Sequence, residues 1–158
     1  MNKNGIALIT LCITIAILVI VAGVLVYTGS NIVSSAKLQT LNTNMLLIQA
    51  KVKTISEKDT FNGGDGSLLV GEPMDSAEYA GIIQNLKNNN VILDGENYYI
   101  WDKEILEQQG LNKVELPEGI IYLVNYDTDE VIYSAGYKHT DSNMYYKLSV
   151  TKDLTVNE

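Results

Sequence analysis

The sequence predicts an α+β protein: a long N-terminal helix packed on a small antiparallel β-meander with short helices. Three observations predict it. Residues 4–36 carry no charge, so a helix-length apolar segment opens the chain. Apolar residues then recur at helical spacing as far as Ile55. Strand-like runs separated by turn residues fill the C-terminal half, and helix first with antiparallel strands last is an α+β order.

Composition sets the outer limits. At 158 residues the chain is long enough for about one domain. Its 46% hydrophobic content and 2 prolines exclude a disordered or collagen-like chain. The net charge is −8, every base is Lys, and the isoelectric point near 4.6 argues against a nucleic-acid surface. One Cys excludes an internal disulfide and any CxxC zinc site, and one His leaves little room for a metal site or a triad. A mean hydropathy of +0.05 averages two unlike pieces.

The first piece is Ile6 to Tyr27, almost wholly aliphatic, with Thr10, Cys12, Thr14 and Gly23 as its interruptions. As a helix it spans roughly 33 Å, enough for a bilayer core of about 30 Å. A soluble helix is seldom apolar on every face for six turns, so the segment reads as membrane-inserted. Three readings fit such a segment. A cleaved signal peptide has a shorter apolar run, of about 7–15 residues, and the best small-residue site, Ser34-Ser35-Ala36, lies well past this one. A plain signal anchor fits in length, with Lys3 and Lys37 on either side. The third reading rests on residues 3–27. Cys12 reads as a small apolar residue within the helix.

Residues 3–27 read Lys-Asn-Gly-Ile-Ala-Leu-Ile-Thr-Leu-Cys-Ile-Thr-Ile-Ala-Ile-Leu-Val-Ile-Val-Ala-Gly-Val-Leu-Val-Tyr. This resembles the N-terminus of type IV pilins and type II secretion pseudopilins. It is most similar to the variants of low-GC Gram-positive bacteria, in which Lys-Gly-Ile-Thr-Leu-Ile-Ala-Leu precedes an aliphatic run ending in Ala-Gly. The resemblance implies a leader, Met1 to Gly5, removed by prepilin peptidase at the cytoplasmic face. Ile6 then becomes the N-methylated first residue. It also implies that the apolar helix is retained as the assembly element, with Leu8, Thr10, Leu11, Ile15 and Leu18 as assembly residues. One position departs from the family pattern: Thr10 stands where most members have Glu. A carboxylate in hydrocarbon costs at least about 2.5 kcal/mol, so members that keep it use it. Thr10 can turn its hydroxyl to the carbonyl of Ile6 but neutralises no charge, which points to a minor subunit.

Past Tyr27 the helix pattern continues. Leu38, Leu41, Met45, Ile48, Val52 and Ile55 recur at steps of three and four, a stripe on one face, with Thr40, Asn42, Asn44, Gln49 and Lys53 assigned to the other. One helix from about Ile6 to Ser56 would be ~75 Å long, with weak points at Gly23 and at Thr28 to Asn31. The stripe reads as core rather than coiled coil, because it runs for less than three heptads.

The second piece, residues 37–158, holds ten Lys and all 19 acids, net −9. Asp59 to Ser67 is a Gly-rich break that ends the helix. It looks faintly like a calcium loop and is a cation candidate, although it fails the EF-hand pattern, because its acids do not alternate and no Glu stands at the twelfth position. Asp75 or Ser76 can cap a helix from Ala77 to Asn88, closed by Asn88-Asn89-Asn90. Asn97 to Trp101 reads as a strand, with Tyr98 and Trp101 as core. Asp102 caps a helix from Lys103 to Gln109 that stops at Gly110. Ile120 to Tyr126 and Val131 to Ala135 form a hairpin around Asp127 to Glu130, a turn that is also a loose cation candidate. Met144 to Val150 is the third strand, and His139 reads as a solvated loop residue.

The domain reading is therefore a leader at 1–5, a transmembrane and assembly helix at 6–30, and its amphipathic continuation at 31–56. A globular head at 57–150 and a loose tail at 151–158 follow. The expected function is structural: a type IV pilus-like, type II secretion or competence pseudopilus subunit, and not an enzyme. No cofactor and no metal are expected. The implied partners are other pilin or pseudopilin subunits, prepilin peptidase, the inner assembly platform and the membrane, with no nucleic acid bound directly. The implied location is the cell membrane, with the N-terminus cytoplasmic and the head outside, and then a surface filament. The alternative is a membrane-anchored extracellular binding module that does not polymerise.

Overall fold

Period-two alternation of apolar residues puts two different cores on the two faces of one sheet. In the computed structural model, which describes residues 34–139 and 141–154, five strands pair antiparallel in the order of the chain. They are β1 (Glu72–Pro73), β2 (Tyr99–Trp101), β3 (Tyr122–Val124), β4 (Val131–Lys138) and β5 (Met144–Lys147). Trp101, Tyr122, Val124 and Val131 point to one face, and Ile100, Leu123 and Ile132 to the other. β3 is buried at all three positions, as the middle strand of a sheet covered on both sides must be.

The first face is covered by α1, residues 34–61. Leu38, Met45, Ile48, Val52 and Ile55 of the predicted stripe are buried and Leu41 is half-buried. Met45, Ile48, Val52 and Ile55 pack with Trp101, Tyr122, Val124 and Leu148. Full burial of each such side chain is worth about 1.5–3 kcal/mol. The polar residues assigned to the opposite face divide differently. Asn42, Asn44 and Gln49 flank the stripe half-buried, where the Asn42 amide donates to the Thr151 carbonyl (3.0 Å) and the Gln49 amide to that of Asp129 (2.7 Å).

The second face is covered by α2 (Ala80–Asn88), whose Ile83 and Leu86 pack with Val91, Ile92, Tyr98 and Ile100. The predicted helix from Ala77 splits into a 3₁₀ turn, Ala77–Tyr79, and α2. Ser76 makes no side-chain cap there, and the tightened turn presents the Tyr79 hydroxyl to Asp102. α2 closes with Val91 N–H on the Leu86 carbonyl and Asn90 N–H on that of Lys87, Asn90 taking the left-handed conformation. α3 (Lys103–Gln108) begins as predicted, with the Asp102 carboxylate accepting from Ile105 N–H at 2.9 Å.

Three further boundaries differ from the sequence reading. α1 runs to residue 61 rather than ending near Ser56. β4 continues three residues past Ala135, because Gly136 yields its side-chain space to Tyr146. The third strand stops at Lys147 and turns into α4 (Leu148–Thr151), which buries Leu148 and Thr151. Thr151, the first residue of the predicted tail, is thus the last residue of α4, and the tail's residues 155–158 lie outside the described residues.

From Leu38 onward the described chain forms one compact unit. Among the described residues no helix is long and apolar enough to cross a membrane. The predicted leader at 1–5, the transmembrane segment at 6–30 and the weak points at 23 and 28–31 lie outside the described residues.

Candidate functional site

The processing pair Gly5 and Ile6, and the assembly residues Leu8, Thr10, Leu11, Ile15 and Leu18, also lie outside the described residues. Within them, two surfaces stand out, one on α1 and one beside α3.

A helix that buries one stripe leaves the opposite side free to be polar. α1 does not use that freedom. Between Lys37 and Lys51 it carries no charge, and its outward side presents Thr43, Leu46, Leu47 and Ala50. Leu46 and Leu47 are 48% and 46% exposed. The Thr43 hydroxyl donates to the Gln39 carbonyl (2.8 Å) and that of Thr54 to the Ala50 carbonyl (2.9 Å). Both hydroxyls thus turn back onto their own helix, which leaves the face poor in donors. Lys51 and Lys53 flank this strip one turn further on, at helical angles on either side of it. At the end of α1, Phe61 is 90% exposed.

The second surface is a cleft of about 810 Å³ between the 3₁₀ turn, α3 and residues 116–121. Five carboxylate residues line it: Glu78, Asp102, Glu104, Glu107 and Glu118. All but Asp102 are exposed, whereas the apolar lining residues Leu116 and Ile120 are half-buried and Ile121 is buried. The Tyr79 hydroxyl donates to the Asp102 carboxylate at 3.1 Å. Burial, and then that carboxylate, hold the Tyr79 phenol well above its ordinary range, so it remains a donor.

In and beside the cation candidates, side chains accept from backbone amides. The Asp59 carboxylate accepts from Gly66 N–H and Leu68 N–H, both at 3.1 Å, and so closes the loop after α1. At the β3–β4 turn, the Asn125 side chain accepts from Asp127 and Thr128 N–H, and the Glu130 carboxylate accepts from Ser149 N–H. Among the described residues no group of three or more His, Cys, Asp or Glu is placed to hold a metal ion.

His139 is not the solvated residue that its polar neighbours suggest. Its side chain is 10% exposed, with Nδ1 3.5 Å from Asp141 and the ring edge-on to Tyr145. The strands on either side of the β4–β5 turn bring Tyr137 and Tyr145 around it, a pairing that only the register reveals. The Asp141 carboxyl is held at about 2, chiefly by the hydrogen bond from the Tyr145 hydroxyl and then by Asn143.

The outward face of α1 and the cleft were both missed in the sequence. Leu46 and Leu47 stand beside the stripe and differ from it only in phase. The acids of the cleft come from three separate segments. Comparison with known protein families, with curated proteins and with solved structures finds no match to this chain.

Proposed function

We propose that this chain is a structural subunit, of the minor kind, of a type IV pilus-like filament or a type II secretion or competence pseudopilus. The observation that carries the reading is the sequence from Lys3 to Tyr27: a short basic leader ending in Gly5, then a charge-free aliphatic run. Prepilin peptidase cuts between Gly5 and Ile6 and methylates Ile6. The helix that follows remains in the membrane until an assembly platform moves the subunit into a fibre. There the apolar faces around Leu8, Leu11, Ile15 and Leu18 bury against those of neighbouring subunits instead of lipid. Thr10 brings no carboxylate to pair with a neighbour's amino terminus, which favours a minor position. An amphipathic helix laid across an antiparallel meander supports this reading, because it is the arrangement expected of a head carried on such a stalk.

The test is the intact mass and N-terminal sequence of the protein from its native membrane and from a sheared surface fraction. A chain starting at methylated Ile6 in both fractions is the expected result. A chain starting at Met1, indifferent to Gly5→Ala, favours the anchored binding module that does not polymerise. A start near Lys37 means that a signal peptide was removed and overturns the reading.

A further inference from the structure

Charge divides along this chain in a way that its total conceals. α1 carries Lys37, Lys51, Lys53 and Lys58 against Glu57 and Asp59, a net of +2. Residues 62–158 carry six lysines against seventeen acids, a net of −11. The Asp59 carboxylate is turned onto two loop amides, so the solvent-facing part of α1 is more basic than its formal count. The acids include the five that line the cleft beside α3.

The two surfaces match in chemistry as well as in sign. The α1 face has an uncharged centre, Leu46, Leu47 and Ala50, flanked by Lys51 and Lys53. The cleft has apolar walls at Leu116 and Ile120, with exposed Glu104 and Glu107 beside them, and among the described residues Lys103 is its one cation against five carboxylates. Its volume of about 810 Å³ exceeds that of two leucine side chains.

We propose that the outward face of α1 docks into the acid-lined cleft of a second copy of this chain, Lys51 and Lys53 of one copy meeting Glu104 and Glu107 of the next. This rests on the filament reading, to which it adds a contact between heads besides the one between apolar helices. The two patches are different surfaces of one chain, so the contact is heterologous: each copy offers a face to one neighbour and a cleft to the other. Opposite charges at its edge set register and orientation, and their strength falls as salt rises.

The test is charge reversal in the full-length chain in detergent, with self-association followed by sedimentation at low and high salt. K51E/K53E and E104K/E107K are each expected to weaken association about tenfold or more at low salt. An equimolar mixture of the two variants is expected to recover it, because every face then finds a cleft of opposite sign. A misfolded variant is not rescued by mixing. Association unchanged by both variants overturns the proposal. So does a loss that mixing fails to restore, or a wild-type chain that does not self-associate. Contact through the apolar N-terminal helices appears as a remainder that neither salt nor the four substitutions move. An intact Met1 together with rescue by mixing would remove the filament reading and leave the head contact standing. A methylated Ile6 with no response to charge reversal would do the opposite.

Discussion

The phenol of Tyr126 engages both backbone groups of Val70. It accepts from the Val70 N–H at 3.0 Å and donates to the Val70 carbonyl at 2.7 Å. The Trp101 indole donates to the same carbonyl at 3.0 Å. The segment leading from α1 to β1 is thus fastened to β2 and to the end of β3 by side chains. Tyr126→Phe leaves a backbone N–H without its acceptor in a half-buried position. We expect it to cost about 1–3 kcal/mol. Denaturant unfolding of the full chain, followed by the fluorescence of Trp101, the sole tryptophan, checks this. An unchanged midpoint would mean that water serves Val70 as well as the phenol does.

Two glycines test what lies around them. Gly71 has φ +113°, and a Cβ there would meet the Ile100 carbonyl oxygen at 2.8 Å. Gly136 has φ +66°, and its Cβ would meet the Tyr146 ring at 2.7 Å. Both alanine variants are strained by conformation, at about 1–2 kcal/mol. The Tyr146 side chain can swing away, whereas the Ile100 carbonyl belongs to β2. Gly71→Ala is therefore expected to lower the unfolding midpoint further than Gly136→Ala, and the reverse order would contradict this packing.

Asp59 closes the loop after α1 with both carboxylate oxygens. Asp59→Ala removes two charge-assisted hydrogen bonds, and Asp59→Asn keeps one acceptor. The expected order of stability is wild type, Asn, Ala, with the Ala variant down by about 1.5–3 kcal/mol. Limited proteolysis should move to residues 62–68 in the Ala variant. Cleavage that stays elsewhere would show that the loop holds its shape without the carboxylate.

Alkali should unfold the compact unit through its tyrosines. Burial, then Glu96 and Glu130, push the Tyr98 phenol up to about 12, and burial likewise raises Tyr122, Tyr126 and Tyr133. Each stays protonated in the fold but ionises near pH 10 once unfolded. Their contribution is whole below about pH 10 and is lost as pH rises towards 12. Tyrosinate absorbance at 295 nm should therefore contain a late component that rises together with the loss of β-sheet signal. Full ionisation near pH 10 with the sheet intact would place these phenols in water.

Legibility followed periodicity. The stripe from Leu38 to Ile55 was readable because six apolar residues at helical spacing leave one assignment open. The α3 cap was readable because Asp102 needs only the local chain. β1 was not, since Glu72 and Pro73 pair with Tyr99 and Ile100 for reasons that lie in the strand opposite. α4 was missed because Met144 to Val150 alternates like a strand, while Leu148 is drawn to α1 by a contact more than ninety residues away in sequence. The candidate surfaces were harder still. An outward leucine such as Leu46 looks the same in sequence as an inward one, and the cleft exists only once Glu78, Glu104 and Glu118 are folded together.

Because the strands are ordered as they occur, each can join its predecessor as soon as it is made. α1 has no such convenience. It is synthesised before the whole sheet, yet Met45 shares its core with Leu148, and Asn42 waits for the carbonyl of Thr151. The apolar stripe is made first and sealed last, a long-range closure that is slow and leaves a sticky surface exposed in the meantime. A chain interrupted before α4 lacks Leu148 and Thr151 and leaves the stripe open around Met45 and Asn42, so quality control acting on nascent chains has a clear feature by which to tell finished folds from unfinished ones.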